Sequence, residues 1–551
     1  MSLVWPILAL CYLTLLFYIA SWGDKNAYLS RKITSHPAVY ALALAIYCTA
    51  WTFFGSVGQA ARENWAFLPI LLGPILVYTL GYRFIFKLTL VSKKLHINTI
   101  SDFIASRYGK RQPVALCVTL LALLATVPYI ALQIKAIGAM FITLTNSDNA
   151  DTITIVTTLA IALFAMYFGT RKSDVTEYRR GLILAVAFES CIKLIALVSL
   201  AFVGFWVWRS QGSAPTIAEI YPIDITSNLF NFNFIAQTIM AAAAIVCLPR
   251  QFHIAIVDNL KLNHLATARW LFPLYLVIMI IAIPIIAAAG KAVFISGDVE
   301  SDNYVLALAM YTDTFVIKLL AFLGGLSAAT AMIIVATLAL STMLSNDVIL
   351  PRLFNSTSQI KTTNLAKKIR VIRRLVVAFI LFLAFLYHQQ LTHTSSLHSI
   401  GLVAFSLVIQ LLPSIVGGLY WRRGHAHGVY AGLIGGVAIW FAWLVLPVIA
   451  SGGESEYTNR TLSEAAILSL SVNCIAYWLF SVTAKHRLID KLQAIAFVSP
   501  SETRQTATQK ALGVDITNSD LITLLTTFLG KGRCLQPVSY THLTLPTIYS
   551  V

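Results

Sequence analysis

Four charged side chains sit where charge is expensive. Glu189 and Lys193 lie four residues apart within the apolar run 181–208, in the Glu-before-Lys order that suits a helical ion pair. Lys135 lies in the middle of the run 113–143, beside Gln133 and after Pro128. Lys318 follows Asp313 by five residues at the edge of the run 314–345. A charge at the centre of a bilayer costs about 2.5–3.5 kcal/mol on insertion scales, so each of these needs a partner or a task. Two chemistries are open to Glu189 and Lys193: a structural pair that offsets its own desolvation, or a titratable site whose charge state burial can change. Lys135 either lines a polar path or pairs with a residue elsewhere. Lys318 is expected to snorkel to the membrane surface.

Other reactive residue types form no catalytic pattern. His388, His393 and His398 cluster near one short loop. A metal site there would need all three on one face, which nothing in the spacing fixes, so solvated loop histidines are the expectation. His425 and His427 follow Arg422-Arg423 and read as ordinary basic loop. The seven cysteines, at positions 11, 48, 117, 191, 247, 474 and 534, include no CxxC pair, and the first six fall in apolar runs as packing residues. No GxxxxGK[ST], GxSxG or HExxH string occurs, and this chain is expected to be neither an enzyme nor a holder of a cofactor or metal.

The elements that must position these residues are membrane helices. Of 551 residues, 58% are hydrophobic and 11% charged, with a mean hydropathy of +0.77. That charge content cannot wet the surface of several soluble domains. Thirteen apolar stretches are long enough, or nearly so, to span about 30 Å of hydrocarbon: roughly 3–22, 37–61, 67–86, 113–143, 152–170, 181–208, 231–249, 270–290, 314–345, 375–387, 399–420, 428–449 and 462–483. The tenth is short as written and should begin before Arg374. The first lacks the basic start and small-residue site of a cleavable signal.

Charge sets the orientation. With the N-terminus outside and the C-terminus cytoplasmic, the external loops hold only Arg62, Arg209, Lys291 and Arg460 of the 40 Lys and Arg, and the spans hold Lys135, Lys193 and Lys318. The other 33 are cytoplasmic, a strong positive-inside pattern. The net charge of +17 is therefore topology, and a nucleic-acid partner is excluded; the basic loops also face the lipid bilayer. Spans two to six and seven to eleven can form two five-helix halves of opposite topology, an architecture of transporters. The leading helix of each half should then be interrupted. Thr49 to Gly58 in the second span, and Ala241 to Ala244 with Pro249 in the seventh, are the expected breaks.

From about residue 3 to 484 the chain resembles the sodium:solute symporter family. The resemblance is closest to the membrane domain that precedes CbrA-type bacterial sensor histidine kinases. It is carried by Cys247-Leu248-Pro249-Arg250-Gln251-Phe252-His253, by Ala268-Arg269-Trp270-Leu271-Phe272-Pro273, and by Ala339-Leu340-Ser341-Thr342-Met343 with Asn346-Asp347. It implies an all-α integral membrane protein of the bacterial inner (plasma) membrane. It also implies thirteen transmembrane helices around a leucine-transporter-type 5+5 inverted-repeat core, with repeats at about 37–208 and 231–420. The implied function is binding and import of a small polar solute, an amino acid, as the input domain of a sensor kinase. A stand-alone sodium- or proton-coupled symporter is the alternative. Thr52, Gln133, Lys135 and Gln237 are candidates for the substrate path.

Departures from the family pattern bear on the coupling ion. The resemblance places the carbonyls of a sodium site at Ala45 and Cys48, and its side-chain ligands on the eighth core helix at Ala328, Ala331 and Met332. Carbon and thioether groups are poor ligands for sodium, a hard cation. Thr330 restores one hydroxyl if the alignment shifts by one residue. A glutamine of the fifth core helix has become Lys193, and an acidic residue of the first has become Tyr47. The combined expectation is that the Lys193 ammonium occupies the place of the missing cation, with Glu189 as its counter-charge. A proton would then replace sodium, or the site would be permanently filled.

Residues 485–530 are polar, and Ile516 to Gly530 resembles the start of the helical module that links such membrane domains to kinases. From about Arg533 the composition changes, and residues 531–551 are expected to be a non-native tail on a truncated chain. PAS, phospho-accepting histidine and ATP-binding modules are what the resemblance implies beyond it. A response regulator would be a partner only through those modules.

Overall fold

The structure is a computed structural model that describes residues 4–25, 28–145, 150–169, 180–210, 231–294, 299–351, 362–390, 396–450 and 458–500. The described residues are helical with short connections and hold no strand. In hydrocarbon a backbone can satisfy its polar groups only within helices or a closed barrel. Each of the thirteen apolar stretches corresponds to helix. By length and composition, eight helices can cross a membrane, or up to ten if two bent pairs each count as one span. The tenth stretch is part of the helix Thr362–Gln390 and does begin well before Arg374. His393 and residues 501–551, including the linker-module string and the distrusted tail, lie outside the described residues.

Two helices are broken, one at the start of each half. Pro37–Tyr47 meets Trp51–Thr79 at 71°, and Phe232–Cys247 meets Pro249–Val257 at 54°. The second break has a local cause. Leu248 is extended (φ −65°, ψ 124°) because it precedes Pro249, which then opens the next helix. The first break contains no proline. Cys48 is extended there (φ −77°, ψ 106°), before a π-type turn at Trp51–Gly55. It falls at the very start of the Thr49 to Gly58 stretch, and partners from other helices hold it.

Around the breaks, small residues let helices cross closely, as expected where lipid offers no hydrophobic drive between helices. Any side chain at Gly73 would meet Ala241 and the backbone of Ala242 on the helix Phe232–Cys247. Gly324 and Gly325 of Phe315–Leu344 receive the rings of Phe53 and Phe54. That helix is buried without interruption from Leu326 to Leu344 and forms the axis of the core.

Among the described residues, the basic loops that carry Lys94, Arg111 and Arg422 all meet the chain that follows the last span. Arg107, fully buried, donates Nε to Gly418 O (2.9 Å) and Nη2 to Trp421 O (2.8 Å). It thereby caps the carbonyl end of the last core helix. At the same end, the helix Leu488–Val498 docks through Asp490, which Arg111 holds at 3.1 Å and His425 approaches at 3.4 Å. His425 is buried there, which corrects its reading as ordinary loop. Nothing local signals this, because Arg111, Ser481, His486 and Asp490, which close around it, lie more than 50 positions away in sequence.

Two outcomes follow from this end of the molecule. Arg107→Ala should lower stability by about 2–3 kcal/mol, because charge-assisted bonds to buried carbonyls are lost; an unchanged thermal midpoint in detergent would refute the capping role. Burial is the main force holding the His425 imidazole below its ordinary 6.5, assisted by Arg111, His427 and His486 and opposed by Asp490. The unfolded chain therefore takes up the proton first as pH falls. Stability present above 6.5 is lost on acidification towards the lower folded-state value. Protection factors in Leu488–Val498, which are corrected for the intrinsic slowing of exchange with acid, should fall between about pH 7 and about pH 5, and protection that stays level or increases would contradict the assignment.

Candidate functional site

The two breaks and the helix Arg180–Ser210 bring the candidate residues together. Breaking a helix frees backbone groups that hydrocarbon cannot solvate. At the first break Lys193 supplies the donor: its Nζ donates to Ala45 O at 2.8 Å and to Cys48 O at 2.6 Å. Ala45 O also accepts from Cys48 N (3.0 Å), and the neighbouring Leu44 O accepts from Gln251 Nε2 of the second broken helix (3.1 Å). Ala50 N donates to Gln133 Oε1 (3.1 Å), Thr52 Oγ1 donates to Thr49 O (2.9 Å), and the Thr49 hydroxyl shares a hydrogen bond with Tyr129 (3.0 Å). The exposed polar groups of the break are thus met by side chains from three other helices.

Glu189 and Lys193 do not form an ion pair within 4 Å of each other. Each instead turns to a neighbouring helix. Thr330 Oγ1 lies 2.6 Å from Glu189 Oε1 and 2.7 Å from Leu326 O and shares its one proton between them, so the hydroxyl one residue away from the aligned positions is the one that reaches Glu189. Ala328, Ala331 and Met332 are buried beside it on Phe315–Leu344 and offer carbon and sulfur only. Ala331 and Glu189 line a void of about 10 Å3, close to the least that holds one water.

The substrate-path candidates divide. Thr52 and Gln133 belong to the first break. Lys135 lies farther along its helix, on the wall of a cavity of about 370 Å3 whose lining also includes Phe54, Arg62, Glu300 and Asp302. There Arg62 and Asp302 are paired at 2.9 Å. Gln237 is buried on Phe232–Cys247 and shares no described hydrogen bond with either group. Lys318 meets Asp313 at 2.5 Å.

Two residues at this centre were misread or missed. His398, expected as a solvated loop histidine, is buried, and its Nδ1 accepts from Trp51 Nε1 at 3.3 Å. The helix Leu397–Val408 starts one residue earlier and carries it inward. Arg250 was counted with the basic loop residues because the seventh span was ended at Pro249. The helix resumes after the break, and Arg250 is 1% exposed with its guanidinium 4.4 Å over the Tyr129 ring. An arginine directly after a mid-span proline was the signal available for it.

No protein-family model matches the chain. Over 414 residues it is 23% identical to an uncharacterised symporter of Bacillus subtilis, YodF, covering 71% of this chain and 76% of that protein. Its structure is similar to that of a Na+-coupled sialic acid symporter in a substrate-bound outward-open state, with a TM-score of 0.64 at 13% identity over 87% of this chain and 98% of that one. The transporter Mhp1 of the nucleobase-cation-symport-1 family, in a closed conformation, gives a TM-score of 0.48 at 14% identity over 83% and 95%. The architecture is the leucine-transporter-type fold.

The Glu189–Thr330 bond is testable on its own. Thr330→Val keeps the volume and removes the donor, and should cost about 1–2 kcal/mol by leaving a buried acceptor unmet. An unaltered unfolding midpoint would show that Glu189 does not depend on it.

Proposed function

We propose that this protein is a solute symporter of the bacterial inner membrane, in which the Lys193 ammonium stands where a coupling cation would sit. The observation that carries the reading is the pair of contacts from Lys193 Nζ to Ala45 O and Cys48 O. Two carbonyls turned out of a broken helix and held 2.6–2.8 Å from a positive charge are the surroundings a bound monovalent cation requires. With that place filled from within, proton exchange at the Glu189–Lys193–Thr330 group replaces sodium as the driving reaction. The similarity to YodF and the fold shared with a Na+-coupled sialic acid symporter support a symporter. The solute is proposed to be small and polar, an amino acid by the original resemblance. The charge distribution supports an external N-terminus and a cytoplasmic C-terminus. A role as input domain of a kinase rests on short strings of sequence alone, so the stand-alone carrier is the reading adopted.

The test is uptake of a radiolabelled amino-acid mixture into proteoliposomes in sodium-free choline buffer, with and without an imposed pH gradient. Uptake that follows the pH gradient and ignores sodium is expected; strict sodium dependence in the intact protein would sink the lysine reading. A second arm uses Lys193→Ala, which removes the donor shared by the two carbonyls. Sodium should then stabilise the variant against heat by about 1–2 kcal/mol at roughly tenfold excess over its Kd, and leave the wild type unmoved. Sodium stabilisation of the wild type alone would reverse the assignment.

A further inference from the structure

Arg250 is a buried cation for which the lysine reading has no use. Its Nε, Nη1 and Nη2 atoms are all inaccessible, and among the described residues none has a hydrogen-bond partner. The aromatic face of Tyr129 at 4.4 Å is its one described attraction. Desolvating a guanidinium costs several kcal/mol, and a cation–π contact returns about 2. The balance calls for an anion. Among the described residues no carboxylate pairs with it, and Glu189, which acts on the neighbouring Lys193, is bonded to Thr330. Glu189 can balance at most one of the two cations, Lys193 and Arg250.

We propose that Arg250 is the anchor for the carboxylate of a small solute bound between the two helix breaks. The guanidinium presents donors in a planar fork that a carboxylate matches with two parallel hydrogen bonds and a counter-charge at the same point. The rings next to it give the rest of the solute an apolar wall. Tyr129 lies parallel to Phe405 with centroids 5.8 Å apart, and Trp51 meets Phe405 edge-on at 4.8 Å. The position also suits gating. Arg250 follows Pro249 on the second broken helix, Tyr129 bonds to Thr49 in the first break, and Gln251 reaches Leu44 O. An anion on Arg250 would therefore touch the elements whose relative tilt changes during alternating access.

The inference deepens the carrier reading by naming the solute class, and its test separates the two. Purified protein in nanodiscs is melted with L-alanine, L-histidine, L-proline, lactate and succinate, each against its amide, in a constant background of chloride. Stabilisation by at least one carboxylate and not by its amide is expected. Arg250→Met should weaken that ligand on the order of a hundredfold, with Arg250→Lys between the two. Should Arg250→Met fail to fold, the wild-type contrast of acid against amide decides alone. Indifference to every carboxylate, equal response to acid and amide, or a response to chloride alone overturns the proposal. Gradient-driven uptake of an uncharged solute with carboxylates inert would leave the carrier standing and this inference fallen. Carboxylate binding lost in Arg250→Met with no gradient-driven uptake would do the opposite.

Discussion

The fold depends on one substitution of partners: a helix broken inside the bundle gives up its own hydrogen bonds, and a lysine from another helix takes the carbonyls. Without a donor at 2.6–2.8 Å, Cys48 O would be left unmet and Ala45 O would keep only its bond from Cys48 N, in surroundings where hydrocarbon offers no replacement. The break cannot be read as loose chain. It is over-determined by Lys193, Gln133, Gln251 and the Thr49–Tyr129 bond, which come from both halves of the molecule. The first broken helix is therefore a shared element, and its geometry depends on both repeats at once.

The same arrangement concentrates positive charge. In water two cations attract counter-ions cheaply; in a low-dielectric interior each needs its own anion or dipoles. Lys193 has carbonyl dipoles at two points, which is enough to hold an ammonium without an ion pair. Glu189 accordingly does not bond to it and accepts from Thr330 instead. Arg250 has only the quadrupole of a ring. The centre is thus unequal: one cation is housed by the protein, and the other is left with unmet donors. A site that binds and releases a ligand has to carry this kind of unmet demand, because a fully satisfied core has nothing to offer an incoming group.

Much of this was legible in the sequence, for reasons that can be named. Length and hydropathy located the helices because a span has few ways to be written. Pro249 marked the second break through its effect on the residue before it, whereas Ala241 to Ala244, expected to be part of that break, are regular helix within Phe232–Cys247. Lys193 could be matched to Ala45 and Cys48 because the family resemblance supplied a register between helices that are about 145 residues apart. What stayed hidden was set by packing alone. Thr330, offered by the sequence only under a one-residue shift, reaches Glu189 with its hydroxyl while Ala331 lines the same void, and only packing decides which register holds. His398 and His425 looked like loop residues because their burial comes from distant chain. Arg250 was lost by ending a span at the proline that only interrupts it.

On the proposed reading, the coupling group is part of the protein, and this constrains the mechanism more than a free sodium ion would. An ion that arrives and leaves can report its own concentration, whereas a tethered ammonium can only gain or lose a proton or move. A ligand shifts a conformational equilibrium only by its differential affinity for the two states. The proton must therefore be held differently when the Pro37–Tyr47 half tilts away from the helix that carries Lys193. A tilt of that half would change the distances from Nζ to both carbonyls together, because Ala45 and Cys48 lie at the break, while Glu189 and Thr330 lie on two long helices that pack against each other. Tilt thus weakens the dipoles that favour the charged lysine and leaves the carboxylate where a released proton can be taken up. A solute anion on Arg250 bears on the same step from the second broken helix. Solute and proton thus act on one hinge from opposite sides, which is what coupling requires.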